Sequence, residues 1–298
     1  MSPSRSSDGL PFENSKRARI NGINVHYRVW LPPAGNTDRC IFLIHGPEGS
    51  TYSWQRVAER LTSSSFLAAA ADLPGFGFTE APRTFPVGYS LSGILWQLLD
   101  VVGQESTRAG KRRSGGKWTL AGASTGARAA SQMAISQPER CNRLVLVDAA
   151  VSSAPELPGF PALGALRTLL SGRLTHVLRS REGMSSLLTS GYGRPPLDEE
   201  VEEHLRALEA SGTVGLFEEL RRREPVDLAA ISIPVLLVWG EHDTWVDRTN
   251  AVRLFNSIKR SEIHIVGAAA HLPAETHPEE LAECIAAFAG RAIHGRGD

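Results

Sequence analysis

The sequence predicts an α/β fold: a mostly parallel central sheet with helices on both faces, plus a helical lid inserted after the sixth strand. Three observations predict it. Short apolar segments alternate with segments of helical spacing, which is typical of a parallel sheet covered by helices. Several of the apolar segments are continuous, as expected of strands buried on both sides. Residues 151–230 contain no strand pattern but do contain helix-like stretches with a charged face, which indicates an insertion.

The first half of the sequence supplies six predicted strands. Residues 17–30 form two of them, joined at Asn21-Gly22, a strong hairpin signal. The other four are predicted at Cys40–Ile44, Phe66–Ala71, Trp118–Ala121 and Arg143–Val147. Helical spacing over 52–61, 90–102 and 125–134 places one helix after each of the third, fourth and fifth strands.

The core pattern returns in the last quarter of the sequence. It predicts a strand over 235–239, a helix over 248–258, a strand over 263–266 and a closing helix over 278–288. The predicted organisation is a disordered leader (1–15), an α/β core (16–150 and 231–298) and a helical lid (151–230). Helix-like stretches within the lid cover 163–170 and 199–208.

Composition and charge exclude several classes of function. Lys plus Arg and Asp plus Glu both number 32, so the chain has no general attraction for nucleic acid or an anionic membrane. No apolar run approaches the roughly 18–20 residues that span a bilayer. The polar leader lacks the apolar region of a secretory signal. The three cysteines, Cys40, Cys141 and Cys284, lie far apart, which disfavours a metal site and fits reduced thiols in a cytoplasmic protein.

A nucleophile motif lies at the end of the fifth predicted strand. The segment Gly122-Ala123-Ser124-Thr125-Gly126 has the Gly-x-Ser-x-Gly pattern, with an apolar strand before it and a small-residue helix after it. Those flanks are what a nucleophile elbow requires, because the serine must stand on a tight strand-to-helix turn. Ser124 is therefore the predicted nucleophile.

A base and an acid are predicted in later loops. A serine hydroxyl needs an adjacent base that is oriented by a third group, and after such an elbow the chain order is Ser, acid, His. Asp243 follows the strand over 235–239, and His271 follows the strand over 263–266. Both loops lie at the carboxyl edge of the predicted sheet, where Ser124 also lies.

Each assignment has rivals. Asp148 also ends a strand at this edge and is the main alternative acid; Glu241, His242 and Asp247 are weaker candidates. The alternative histidines are His45, which we expect to support its loop, His277, which we expect at a helix start or on the surface, and His176 and His204, which we expect to be solvated in the lid.

Taken together, these motifs resemble the α/β-hydrolase superfamily, in particular its lid-bearing esterases, carbon–carbon bond hydrolases, epoxide hydrolases and dehalogenases. The resemblance covers residues 17–292. It is carried by His45–Ser50 with Trp54, by Asp72–Gly77, by the elbow, by Gly240–Asp243 and by His271. It implies a serine hydrolase that needs no cofactor and no metal. Epoxide hydrolases and dehalogenases have Asp at the elbow, so Ser124 argues against both.

One residue departs from the family pattern. The resemblance implies two oxyanion donors, the N–H groups of Thr125 and of the residue after His45-Gly46, which is Pro47 and has no N–H. The N–H of Glu48 could replace it if the loop shifts by one residue, or another group could donate; otherwise turnover is slow or the chemistry differs. The Glu48 carboxylate could be solvated or could deter anionic substrates. Pro47 and Trp245 are candidate pocket residues, although Trp245 could equally serve packing.

The leading functional hypothesis is hydrolysis of a carboxylic ester or related acyl compound through an acyl-enzyme on Ser124. A second hypothesis is cleavage of a carbon–carbon bond in a vinylogous diketone, although Ala123 stands where those hydrolases often have Asn. A third is a ligand-binding or accessory protein with little turnover, which Pro47 keeps open. The expected partner is a small-molecule substrate, and the sequence does not predict an oligomeric state.

Overall fold

The computed structural model describes residues 10–33, 37–81, 89–111, 116–151, 179–211 and 226–291. The strands are β1 (Ser15–Ile20), β2 (Ile23–Trp30), β3 (Cys40–Ile44), β4 (Leu67–Ala71), β5 (Trp118–Ala123), β6 (Cys141–Val147), β7 (Val235–Gly240) and β8 (Ser261–Val266). They form one sheet in the order β1-β2-β4-β3-β5-β6-β7-β8. Only the β1–β2 and β2–β4 pairs are antiparallel, which confirms the predicted, mostly parallel sheet.

Helices cover both faces of this sheet. They are α1 (Gln55–Ser63), α2 (Leu91–Arg108), α3 (Gly126–Ser136), α4 (Arg181–Tyr192), α5 (Asp198–Ser211), α6 (Thr249–Ser257), α7 (Pro273–Thr276) and α8 (Pro278–Gly290). The apolar faces of α2, α3 and α6 pack on one side of the sheet, and those of α1 and α8 on the other. None of the helices in the described ranges is both long enough and apolar enough to cross a membrane.

The strands are continuous apolar runs because both of their faces are buried. In β3, Phe42 and Ile44 belong to the core on one side of the sheet, whereas Ile41 and Leu43 belong to the core on the other. Parallel neighbours on both sides place the carboxyl end of β3 beside those of β4 and β5. The loops that follow the parallel strands therefore meet at one edge of the sheet.

The turn after β4 is fixed by a buried hydrogen-bond network. Asp72 accepts hydrogen bonds from the main-chain N–H groups of Thr51 (2.6 Å) and Phe78 (2.8 Å). Asp72 Oδ2 also lies 2.7 Å from His26 Nδ1. The other ring nitrogen of His26, Nε2, lies 2.8 Å from Ser15 Oγ. Burial opposes ionisation of Asp72, but the His26 contacts outweigh it and hold the pKa of this carboxyl below its usual range. This buried Ser–His–Asp chain links β1, β2 and the turn after β4.

The folded chain begins earlier than the sequence predicts. Phe12, within the predicted leader, is buried and meets Phe78 edge-on, with ring centroids 5.9 Å apart. The guanidinium of Arg28 lies 4.0 Å from the centroid of the Phe12 ring. Phe12 and Ser15 are therefore buried within the predicted leader, and residues 1–9 lie outside the described residues.

Two helices are described between β6 and β7, where the sequence predicts a lid. Apolar residues of α4 and α5 form a separate small core with Leu272 of the loop after β8; its members are Met184, Leu188, Tyr192, Val201 and Leu272. The helix predicted over 199–208 corresponds to α5, which extends from Asp198 to Ser211. The stretch predicted over 163–170 lies outside the described residues.

Candidate active site

Ser124 occupies a strained turn at the carboxyl end of β5. Its φ of 51° lies in the left-handed region, which is uncommon for a residue other than glycine and is found where a fold holds a functional group in place. The turn is held by the Ser124 N–H, which donates to the Val147 carbonyl at 2.9 Å, and by the Ser124 carbonyl, which accepts from Ala127 and Ala150. Helix α3 begins two residues later. This is the strand-to-helix elbow that the sequence predicts.

The elbow requires glycine at position 122. A Cβ on Gly122 would lie 2.4 Å from the carbonyl oxygen of Gly126 and 2.7 Å from Ala127 Cα. Because both neighbours are main-chain atoms, neither could move aside without opening the turn. The close approach of β5 and α3 at the Ser124 turn therefore depends on the missing side chain.

His271 and Asp243 form a buried hydrogen-bonded pair. His271 Nδ1 lies 2.9 Å from Asp243 Oδ2, and both side chains are almost fully buried. Asp243 Oδ1 accepts from the N–H groups of Trp245 (2.8 Å) and Val246 (3.1 Å), which fix the carboxylate. A carboxylate at Nδ1 favours the tautomer with its proton there, which leaves Nε2 free to accept a proton. Within the described chain, Ser124 and His271 share no hydrogen bond; such contacts are often long before substrate binds.

Asp148, the alternative acid, lies near both Asp243 and His271 but hydrogen-bonds the main chain. Its Oδ1 accepts from the Gly240 N–H at 2.8 Å, while its buried Oδ2 has no hydrogen-bond partner in this conformation. Burial and, second, the negative charge of Asp243 raise the pKa of Asp148 well above its ordinary value. Asp148 is therefore the carboxyl that its surroundings make easier to protonate, and the 2.9 Å contact with His271 favours Asp243 as the partner of the base.

Among the described residues, the side chains of Asp148, Asp243 and His271 come nearest to an arrangement that could bind a metal ion. Ligand atoms of Asp148, Asp243 and His271 all lie within 4.8 Å of one another. His271 Nδ1 is engaged by Asp243, however, and burial and the charge of Asp243 raise the pKa of Asp148, which disfavours its ionised form. The cluster is thus accounted for by acid–base hydrogen bonding.

The weaker acid candidates have other partners: Glu241 accepts from Ala268 N–H, and Asp247 accepts from Thr249 N–H.

The loop after β3 carries Pro47 and Glu48. Thr125, on the other side of the site, directly precedes the first residue of α3, where helical N–H groups have no partner within the helix. Pro47 has no N–H. The N–H of Glu48, the predicted replacement, interacts with its own side-chain carboxyl, which lowers the pKa of that group. Desolvation of that carboxyl is the largest influence on it and raises the pKa of Glu48 despite the opposing charge of His271.

His45 supports this loop, as the sequence predicts. Its Nδ1 donates to the Gly46 carbonyl at 2.6 Å, and its Nε2 accepts from the Leu73 N–H at 3.0 Å. Burial lowers the pKa of this imidazole, so it stays neutral. His45 therefore ties the β3 and β4 loops together and leaves no ring nitrogen for proton transfer. His277 lies at the start of α8 and contacts Thr276 Oγ1 at 2.9 Å.

The prediction that His204 is solvated is wrong. His204 is buried: its Nδ1 donates to the Glu48 carbonyl at 3.0 Å, and its Nε2 contacts Glu275 Oε2 at 3.0 Å. Tyr192 O–H donates to the same carboxylate oxygen at 2.6 Å. The sequence does contain one indication that His204 is buried: its spacing of three residues from Val201 puts both on the same face of α5. His176 lies outside the described residues.

Helix α4 contacts the loops that carry the acid and the base. Trp245 Nε1 donates to Ser190 Oγ at 2.8 Å, and its ring centroid lies 4.7 Å from that of His271. The Leu272 N–H donates to the Gly191 carbonyl at 3.0 Å. Trp245 is therefore a packing partner of His271 as well as a candidate pocket residue.

Comparison with known proteins identifies a family. The family model described as serine aminopeptidase, S33, matches residues 35–274. The uncharacterized hydrolase YugF of Bacillus subtilis is 25% identical over 295 residues, covering 92% of this chain and 97% of that protein. The pimeloyl-[acyl-carrier protein] methyl ester esterase of Aeromonas hydrophila is 26% identical over 261 residues, covering 84% of this chain and 95% of the esterase.

Solved structures share the architecture. The crystal structure of a membrane phospholipase A, a bacterial virulence factor, is 27% identical and has a TM-score of 0.72. The match covers 93% of this chain and 87% of the phospholipase. The common fold therefore extends over almost the whole chain.

Proposed function

The chain belongs to the α/β-hydrolase family described as serine aminopeptidase, S33, and on that premise we propose that it hydrolyses a carboxylic ester or related acyl compound through an acyl-enzyme on Ser124. The observation that carries the proposal is the pairing of a strained elbow serine with a buried His271–Asp243 hydrogen bond at the same sheet edge. The esterase and phospholipase relatives support an ester as the acyl compound.

Ser124 and His271 carry the acylation step. Ser124 Oγ forms a bond to the substrate carbonyl carbon while His271 Nε2 takes the hydroxyl proton. The bond from that carbon to the leaving oxygen then breaks, and His271 returns the proton to the departing alcohol. Water repeats the sequence on the acyl-enzyme, which releases the carboxylic acid and restores Ser124.

Asp243 orients His271 and stabilises the imidazolium that forms during each step. Its carboxylate is held by two main-chain N–H groups, so it presents Oδ2 to His271 Nδ1 without rearrangement. Thr125 N–H stabilises the oxyanion on the carbonyl, at the start of a helix whose dipole favours negative charge.

Helices α4 and α5 form part of a lid that covers the substrate. Three contacts support this role: Ser190 with Trp245, Gly191 with Leu272, and His204 with the Glu48 carbonyl. Each joins the inserted helices to a loop of the site. The lid would thereby limit the size of a small-molecule substrate and exclude water during acylation.

The proposal is tested by ester hydrolysis with p-nitrophenyl acetate. The Ser124→Ala variant should lose turnover, whereas Ser136→Ala, at the far end of α3, should keep it. Wild-type activity in Ser124→Ala would contradict the serine mechanism.

A further inference from the structure

The Glu48 carboxyl lies near Ser124, across the Cα of Gly46. A Cβ on Gly46 would lie 2.4 Å from Glu48 Oε1 and 2.8 Å from Ser124 Cβ, so both groups share the space above this glycine. The carboxyl of Glu48 therefore reaches back over its own loop toward Ser124. The residue as a whole is only partly exposed.

The same region needs a hydrogen-bond donor. Thr125 N–H supplies one donor to an oxyanion, and Pro47 supplies none. Glu48 N–H is engaged by the carboxyl of its own side chain. The residue that directly follows Gly46, Pro47, thus leaves the expected position without a main-chain N–H.

Building on the proposed function, we propose that the Glu48 side chain supplies the second oxyanion donor, as a neutral carboxyl whose O–H hydrogen-bonds to the substrate oxygen that becomes negative. The proton stays on Glu48 throughout, so no bond to it is made or broken during turnover. A buried carboxylic acid that is held neutral can serve as an oxyanion donor. Under this assignment, the Glu48 side chain supplies the hydrogen-bond donor that Pro47 lacks.

The surroundings of Glu48 favour its neutral form. Burial is the largest influence and raises its pKa, and the Glu275 carboxylate acts in the same direction. His271, the N–H of Glu48 itself and His204 lower the pKa, but burial prevails; Glu48 in turn raises the pKa of Asp148. A negative oxyanion beside the carboxyl opposes its ionisation further, because like charges at short range disfavour each other.

An ionised Glu48 would have the opposite effect. A carboxylate at this position would repel the developing oxyanion, and removing it would speed the reaction. If the main-chain N–H of Glu48 were the donor instead, removing the side chain would change the rate little. The three possibilities therefore predict different changes in kcat when the Glu48 side chain is removed: a decrease, an increase or little change.

The experiment compares Glu48→Ala and Glu48→Gln with wild type in p-nitrophenyl acetate hydrolysis from about pH 5 to 10. Glu48→Ala should lower kcat by about 10²–10³, the loss measured for a missing oxyanion donor. Glu48→Gln keeps a neutral N–H donor and should recover most of that loss. Wild-type kcat should fall at alkaline pH as Glu48 ionises, and this fall should be absent from Glu48→Gln.

Two controls separate the causes. Glu139→Gln changes an exposed glutamate at the opposite edge of the sheet, beside the start of β6, and should keep the wild-type profile. Circular dichroism and thermal unfolding establish that each Glu48 variant is folded. Equal or greater kcat in folded Glu48→Ala, or equal losses in Glu48→Ala and Glu48→Gln, would overturn the assignment of Glu48. A wild-type protein that hydrolyses no ester would instead overturn the proposed function on which it rests.

Discussion

Asp243 and His271, 28 positions apart in the sequence, meet through a 2.9 Å contact between Oδ2 and Nδ1, with both side chains shielded from solvent. The contact leaves Nε2 as the ring nitrogen available for proton transfer. It also distinguishes the two carboxyls near the base: Asp243 contacts His271, whereas Asp148 accepts from the Gly240 N–H.

Asp243→Asn should lower kcat by about 10⁴, the loss measured for the same change in a well-studied triad, because the amide favours the wrong imidazole tautomer. The measurement is steady-state ester hydrolysis at several pH values. An activity within a fewfold of wild type would exclude Asp243 as the orienting acid.

Asp148→Asn should be tolerated, because the pKa of Asp148 is raised towards its neutral form and an amide of the same shape can still accept from Gly240 N–H. We expect kcat to stay far above that of Asp243→Asn, and the alkaline fall attributed to Glu48 to persist. A loss as large as that of Asp243→Asn would reverse the assignment of the acid.

Gly122→Ala should destabilise the fold, because the new Cβ would lie 2.4 Å from a main-chain oxygen. Overpacking of a dense interior costs about 1–3 kcal/mol or more. The measurement is urea unfolding, with Gly290→Ala as the control, since a Cβ there meets no atom within 4 Å. Equal stability of the two variants would mean that the elbow tolerates a wider turn than the structure has.

The buried pair of His204 and Glu275 should make stability depend on pH. The pKa of His204 is raised above 6.5: burial opposes its charge, but the contact with Glu275 prevails. The pKa of Glu275 is lowered below 4.5: burial again opposes, and His204 prevails. The His204 contribution is complete below pH 6.5 and is lost as pH rises through its raised pKa. The Glu275 contribution is present above pH 4.5 and is lost as pH falls through its lowered pKa.

Thermal unfolding of Glu275→Gln tests this pair. The loss in Tm relative to wild type should be largest between pH 4.5 and 6.5 and should shrink at higher pH. Breaking a buried pair costs about 3–5 kcal/mol. Glu280→Gln is the matched control, because it breaks an exposed His264–Glu280 pair of 3.1 Å, which contributes about 0–1 kcal/mol. A loss in Glu275→Gln that did not vary with pH would mean that the pair is uncharged.

The strands and the elbow could be predicted because their residue types are imposed by burial and geometry. A strand covered on both faces has to be continuously apolar, and the segment Cys40–Ile44 has this pattern. The acid could not be fixed in the same way, because Asp148 and Asp243 both end strands at one edge of the sheet. Only the hydrogen bonds distinguish them.

Long-range contacts explain what sequence patterns missed. Phe12 lies in a polar segment, and its burial depends on partners such as Arg28 and Phe78 that are distant in sequence. His204 is polar on a charged helix, and its partner Glu275 lies 71 positions away. Local periodicity contains no information about either pairing.

Labelling with a fluorophosphonate probe tests the serine mechanism most directly, because the probe reacts only with a serine that its base has activated. Intact-mass spectrometry of the wild-type protein should show one phosphonyl adduct, which peptide mapping should place on Ser124, and Ser124→Ala should remain unlabelled. Folded wild-type protein that stays unlabelled, or equal labelling of Ser124→Ala, would contradict the assignment of Ser124 as the nucleophile and favour a ligand-binding role.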